Sequence, residues 1–220
     1  MTTAGRGPCL GLLCAWVSAC ATTAPLAAGA RTARVPAASF PDDANPLPRY
    51  HSKRLALSLP LPRGAHWHID DHSRPELEAD QPLTHSRVLV AILHTDTLVG
   101  RSQCEERAVA AKLVPDAPFQ TVDDEVATTQ GSFDTRIRVA VAPPDHEGAP
   151  LVGHVFAFGG YLRKCYVFDF STEVAQLADE PTLSSRLAFA RTRILGGLEL
   201  EAVDAPSRLT PEDVELGIGR

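Results

Sequence analysis

The sequence predicts an α+β protein, an α/β/α sandwich built on one mostly antiparallel sheet. Three observations lead there. Apolar residues recur with a period of two in several short runs. Two longer stretches change to helical spacing, and the strands come in groups between those helices, without strict alternation. Grouped strands are joined by hairpins, which makes neighbours antiparallel.

The elements follow in order. "KRLALSLPLP", residues 53–62, places leucines and alanine-flanked apolar positions at 55, 57, 59 and 61, a strand period. After a turn at Pro62-Arg63-Gly64, "AHWHIDD" continues the alternation. "SRVLVAILHTD", 86–96, is apolar nearly throughout, as a strand covered on both faces is. "GRSQCEERAVAAKLV" then turns helical, with Cys104, Ala108 and Ala111 on one face and Glu105, Glu106 and Lys112 mostly elsewhere. Pro115 closes that helix. A strand over 133–142 carries Phe133, Ile137, Val139 and Val141. "LVGHVFAFGGYLRKCYVFDF" reads as a hairpin joined around Gly159-Gly160, apolar at both parities and therefore covered on both sides. "PTLSSRLAFARTRILGGLEL" supplies a second helix, with Pro181 in its first turn, Leu183, Leu187, Ile194 and Leu198 on one stripe, and Gly196-Gly197 at its end. Thr210-Pro211-Glu212-Asp213 starts a short terminal helix.

The 220 residues are 44% hydrophobic and 22% charged, which suits one globular domain with appendages. Twenty-one basic residues lie scattered among 27 acidic ones, for a net charge of −6. With no basic stripe, nucleic acid is not an expected partner.

The N-terminus reads as an address. Arg6 precedes a short apolar run, Cys9 to Val17, too short to span a bilayer and suited to the core of a secretory signal. Val17-Ser18-Ala19-Cys20 follows. This closely resembles the lipobox of bacterial lipoproteins, an aliphatic residue and two small residues before a cysteine. Cys9 follows Pro8 and Cys14 follows Leu12-Leu13, so neither fits that pattern. The resemblance implies cleavage before Cys20, acylation of that residue, and, with Ala21 after it, delivery to an outer membrane facing the periplasm. Residues 1–19 are then a signal peptide, 20–50 a lipid-anchored linker rich in alanine, threonine and proline, and 51–220 a single sandwich domain. A flexible linker of this length reaches about 30 Å. Export provides an oxidising compartment, where Cys104 and Cys165, the two cysteines of the body, form a disulfide.

The succession of elements resembles the PsbP-like α/β/α sandwich. The resemblance rests on the early "LSLPLP" strand, the aromatic hairpin "HVFAFGGYLRKCYVFDF" and the amphipathic helix after "STEV", over about residues 53–200. It implies a binding or assembly role and brings no catalytic residues.

One stretch competes with that expectation. In "HWHIDDH", residues 66–72, His66, His68 and Asp70 match the His-x-His-x-Asp-His pattern of metallo-β-lactamase-type hydrolases. Asp71 stands where that pattern has its third histidine, and His72 arrives one residue late. Tetrahedral zinc tolerates little such displacement. On a strand, His66, His68 and Asp70 share one face and Trp67 and Ile69 the other, so the stretch also reads as a wet strand edge entering a turn at Asp70-Asp71. His154 reads as a satisfied sheet histidine and Glu105-Glu106 as a solvated helix face. No phosphate loop, nucleophile elbow or Cys-x-x-Cys is present, and no cofactor is expected. The leading expectation is a lipid-anchored envelope protein, a non-enzymatic binding or assembly module with an unidentified envelope protein or ligand as partner. The alternative is a zinc-dependent hydrolase using His66, His68, Asp70 and His72.

Overall fold

The computed structural model describes residue 40 and residues 46–62, 66–129, 132–144, 146 and 148–200. The chain divides into two compact units, Met1–Val35 and Pro36–Arg220, and every described residue belongs to the second. Cys20, its lipobox and the helix expected from Thr210 lie outside the described residues.

Among the described residues ten strands and two α-helices follow in order: β1 (Arg49–Ser52), β2 (Leu57–Pro60), β3 (His68–Asp70), β4 (Leu77–Gln81), β5 (Ser86–His94), α1 (Arg101–Ala110), β6 (Gln120–Thr129), β7 (Phe133–Ala142), β8 (Leu151–Tyr161), β9 (Lys164–Val174), α2 (Glu180–Phe189) and β10 (Glu199–Leu200). Helix α2 runs on into a π-helical segment, Ala190–Leu195. Seven strands form one sheet in the order β3-β4-β5-β9-β8-β7-β6, and β1, β2 and β10 form a second. Every pairing is antiparallel. The α+β sandwich with a mostly antiparallel sheet is therefore the architecture the chain has.

The large sheet is buried on both faces at its centre. Val88, Val90, Val155, Ala157, Phe168 and Phe170 pack into one core, together with leucines of β2 and with Leu183, Leu187 and Ile194 of α2 and its extension. Leu89, Phe156, Phe158, Cys165 and Val167 pack into the other, under Cys104 and Ala108 of α1. Alternation of side chains across a strand makes adjacent residues such as Val155 and Phe156 serve opposite cores. Cys104 and Cys165 form a disulfide, Cα atoms 5.4 Å apart, joining α1 to β9. Closing a loop with a sequence separation of 61 stabilises the fold by about 4 kcal/mol in the chain-entropy account.

Several expectations need revision. The β8–β9 turn lies at Leu162-Arg163, with Leu162 at φ 52, while Gly159 and Gly160 sit inside β8. The reason is Tyr166, which pairs with Gly159 across the strands. A Cβ on Gly159 would lie 1.9 Å from the tyrosine ring, so glycine here is a seat for an aromatic side chain and not a turn. Helix α1 ends at Ala110, with Lys112 at φ 58, so Ala111 is exposed instead of sharing the buried face. Glu105 is not simply solvated, because Arg136 and Arg138 of β7 reach it at 3.0 and 2.7 Å. Described residues ahead of residue 51 also pack on this body. Leu47 is buried, β1 starts at Arg49, and Phe40 packs against Trp67, Phe170 and Phe189.

Helix α2 is held by a buried cation. Arg186 is 2% exposed, and its Nη1 donates to Thr84 O at 2.8 Å, Glu173 O at 2.9 Å and Thr172 Oγ1 at 3.1 Å. Burial lowers its pKa, with Asp179 acting in the opposite direction. Removing this guanidinium takes a charged donor from the carbonyl oxygens of Thr84 and Glu173, the first of which keeps the hydroxyls of Ser86 and Thr172. Arg186→Ala is expected to cost about 3 kcal/mol in urea unfolding, whereas Ser185→Ala, at an exposed position of α2, is expected to stay within about 0.5 kcal/mol of the parent.

Candidate functional site

The "HWHIDDH" stretch is divided among separate tasks. Trp67 is buried, and its indole N–H donates to Pro62 O at 2.5 Å. Ile69 lies partly buried against the core. His66, His68 and His72 point to solvent. Asp70 caps the turn, as its sequence context suggested: Oδ1 accepts the amides of His72 and Ser73, each at 3.0 Å, and Oδ2 accepts the Ser73 hydroxyl. Those bonds, the hydroxyl foremost, hold the Asp70 carboxyl down to about 2 from an ordinary 3.8. Asp71 turns inward, where Arg54 Nη2 reaches its Oδ1 at 3.0 Å and Tyr50 donates to its Oδ2 at 3.2 Å. Burial, followed by the Asp71 charge, pushes the Tyr50 phenol up.

The four residues considered as zinc ligands are thus not brought together. Asp70 spends one oxygen on backbone amides of the turn and the other on the Ser73 hydroxyl, and among the described residues no three histidine, cysteine, aspartate or glutamate side chains form a group that could hold a metal ion. His154 donates or accepts through Nδ1 with Asp169 Oδ1 at 2.9 Å, stacked on Phe156 and met edge-on by Phe119. It is a satisfied sheet histidine.

The structure brings together a different set. On the α2 side of the large sheet, the helix lies over β8 and β9 and leaves β6 and β7 less covered, which opens a groove. Its place is set by glycine again: a Cβ on Gly153 would lie 2.7 Å from Leu187, so α2 settles directly on β8 there. Arg191, second residue of the π segment, spans the groove, with Nη1 2.5 Å from Asp123 Oδ2 and Nη2 2.6 Å from Glu125 Oε2. The hydrogen bond to Glu125 and the one to Asp123 raise its pKa. π-helical turns inside α-helices are frequent at functional sites.

Arg191 divides the groove into two cavities. One, about 360 Å³, has Tyr166, Ile137 and Leu195 in its lining and is rimmed by hydroxyls of Thr128, Thr129 and Thr192. The other, about 320 Å³, is lined mainly by Val139, Val141, Leu151, Leu183 and Leu187. Tyr166 lies across Gly159 to bond Thr135 of β7 at 3.0 Å and Thr129 of β6 at 3.1 Å. Burial pushes its phenol up.

Sequence reasoning missed Arg191, Asp123, Glu125 and Tyr166. The run "VDDEV" did hold a signal, since valines flank acids with strand spacing, but its polarity hid an exposed edge strand. Arg191 carries no local signal, because its carboxylates lie more than 60 residues away in the chain.

No family model matches the sequence, and no curated protein does. Among solved structures the chain is similar to the Ran-binding protein Mog1p of Saccharomyces cerevisiae, at 9% identity and TM-score 0.48, over 70% of this chain and 94% of that one. A cyanobacterial PsbP (CyanoP) from Synechocystis gives 11% and 0.46, over 70% and 91%. LpqN of Mycobacterium tuberculosis, involved in cell envelope biogenesis, gives 15% and 0.43, over 69% and 88%. The chain spans about half the length, 48%, of a Bacteroides thetaiotaomicron protein it also resembles. All four overlaps fall below a TM-score of 0.5.

The Asp70 turn has a pH signature. Its folded pKa lies below its ordinary value, so its stabilising effect is present above about pH 4 and is lost as pH falls toward 2. The Tm difference between the parent and Asp70→Ala is therefore expected to narrow across that window in calorimetry. A difference that stays constant from neutral pH downward would show that the turn bonds contribute nothing through the carboxylate.

Proposed function

We propose that this protein is a lipid-anchored component of the cell envelope, held through Cys20 to the outer membrane on its periplasmic side. Its PsbP-like sandwich acts as a non-enzymatic binding or assembly module, and the groove between β6–β7 and α2 is its binding site. The observation that carries the reading is the pair of cavities on either side of Arg191. A concave surface that joins an apolar patch to a few fixed polar groups is the usual form of a binding site. The polar groups there are already engaged with each other, Arg191 with Asp123 and Glu125, and Tyr166 with Thr129 and Thr135. That arrangement shapes a surface; it does not prepare a nucleophile and base.

Two measurements test the proposal. Cys20→Ala is expected to move the protein from the membrane fraction to the soluble one, with loss of the acyl mass from its N-terminal peptide; unchanged fractionation would refute the anchor. For the groove, naphthalenemethanol titrated into the full chain is expected to shift the methyl resonances of Val139, Val141, Leu183 and Leu187 with one-site saturation. Ala188 is exposed and lines the apolar cavity, so Ala188→Trp fills it and is expected to abolish those shifts. Shifts that survive the tryptophan would place the probe elsewhere and end the assignment.

A further inference from the structure

Large apolar side chains stand exposed at both ends of the seven-stranded sheet, in opposite electrical settings. At one end β5 and β8 stop and β9 begins. The loop after β5 lies along the β8–β9 turn there. The Val99 amide donates to Leu162 O at 2.8 Å and the Thr95 amide to Arg163 O at 2.9 Å. This tip presents Leu98 and Leu162, 72% and 58% exposed, beside exposed Tyr161, whose ring centroid lies 5.6 Å from that of Phe133. At the other end, Leu83 and Leu177 are 70% and 74% exposed. Exposure alone does not separate the two ends.

Charge does. Leu162 is followed directly by Arg163 and Lys164. The other charged groups in the two segments of the tip, 94–101 and 161–164, are Asp96 and Arg101, and Arg101 is paired with Asp134 at 2.6 Å. Cations are therefore in excess at the tip, although the whole chain carries −6. Leu177 instead lies between Glu173 and Glu180, and His85, beside Leu83, faces Glu173 at 3.3 Å. Apolar side chains flanked by cations suit an anionic lipid surface. Leucine and tyrosine enter the headgroup boundary while arginine and lysine reach the phosphates.

The turn itself carries a second mark. Leu162 holds φ 52 as the first of two residues linking β8 to β9. Links of that length favour glycine, asparagine or aspartate at positive φ, and a bulky side chain there costs stability. A leucine at this position neither eases the turn nor fills the core, so its contribution lies with what it meets outside the fold.

We propose that the tip formed by Leu98, Tyr161 and Leu162 docks on an anionic phospholipid surface, with Arg163 and Lys164 on the lipid phosphates. The inference rests on the anchored reading above only in taking a bilayer as the surface at hand. Three side chains bury far less than an acyl chain, so the contact is weak and reversible. It orients the domain and does not by itself hold the protein in the membrane fraction.

The test uses the full chain carrying Cys20→Ala, which has no cysteine to acylate there, in sedimentation with vesicles of phosphatidylethanolamine and phosphatidylglycerol. Every variant shares this N-terminus, so differences between variants report the tip. The parent is expected to bind these vesicles, and to bind phosphatidylcholine vesicles about tenfold more weakly. Leu98→Ser with Leu162→Asn is expected to reduce binding about tenfold. Its Tm is expected to be no lower than the parent's, because asparagine accepts positive φ. Arg163→Gln with Lys164→Gln is expected to abolish the preference for phosphatidylglycerol. Leu83→Ser with Leu177→Ser, at the acidic end, is expected to leave binding unchanged. If the parent does not bind, or the two leucine pairs prove interchangeable, the tip is not a lipid site. If the glutamine variant keeps the preference, charge selection is refuted. If Leu98→Ser with Leu162→Asn instead turns a dimer of the vesicle-free chain into a monomer, the tip is an interface between copies and the proposal falls. Acylation of Cys20 is read separately by mass, so failure of the anchor and failure of the tip are distinct results.

Discussion

The buried guanidinium of Arg186 is the contact on which the α2 layer depends. It draws together Thr84 from the turn before β5, Thr172 and Glu173 from β9, and helix α2, elements separated by up to 102 residues in the chain. The hydroxyls of Ser86 and Thr172 already donate to Thr84 O, and the guanidinium adds a charged donor that ties this oxygen and Glu173 O to the helix. A cation with several fixed donors does this in one geometry, which fixes the azimuth of the helix as well as its position. Leu183 and Leu187 are then aimed at β8, and Arg191, about one turn beyond Leu187, is aimed at β6.

A comparable logic holds the opposite layer. Helix α1 carries little apolar surface of its own, with only Cys104 and Ala108 buried along it. It is tied down by a covalent bond to β9 and by Glu105, which Arg136 and Arg138 reach from β7. The arginines of β7 also hold Asp124 of β6 on that face, while Arg191 holds Asp123 and Glu125 on the other. An acid-rich edge strand is thereby neutralised alternately from both sides of the sheet. That is how a run with poor intrinsic strand preference sits in the middle of a ten-residue edge strand.

The groove follows from these two anchorages. Because α2 is fixed over β8 and β9, it leaves β6 and β7 less covered among the described residues, and Arg191 bridges the strip to Asp123 and Glu125. The π-helical turn sets that side chain within reach of both carboxylates. Tyr166 closes the floor from below, and it can lie flat only because Gly159 has no side chain. Site and scaffold are built from the same few contacts.

The amino-acid sequence by itself determined the class of fold, the doubly buried β8–β9 pair, the second helix and its apolar stripe, the disulfide partners and the turn at Asp70. Each of these is a local period or a local capping contact, or follows from a simple count of cysteines. Tertiary structure decided the rest. Whether Gly159 is a turn or a seat depends on an aromatic ring from the next strand; whether "VDDEV" is a loop or an edge strand depends on arginines far along the chain; and whether His66, His68 and Asp70 meet depends on where Asp70 directs its oxygens. Charges and hydroxyls act through partners that chain order does not reveal, while apolar periodicity records burial wherever the partner lies.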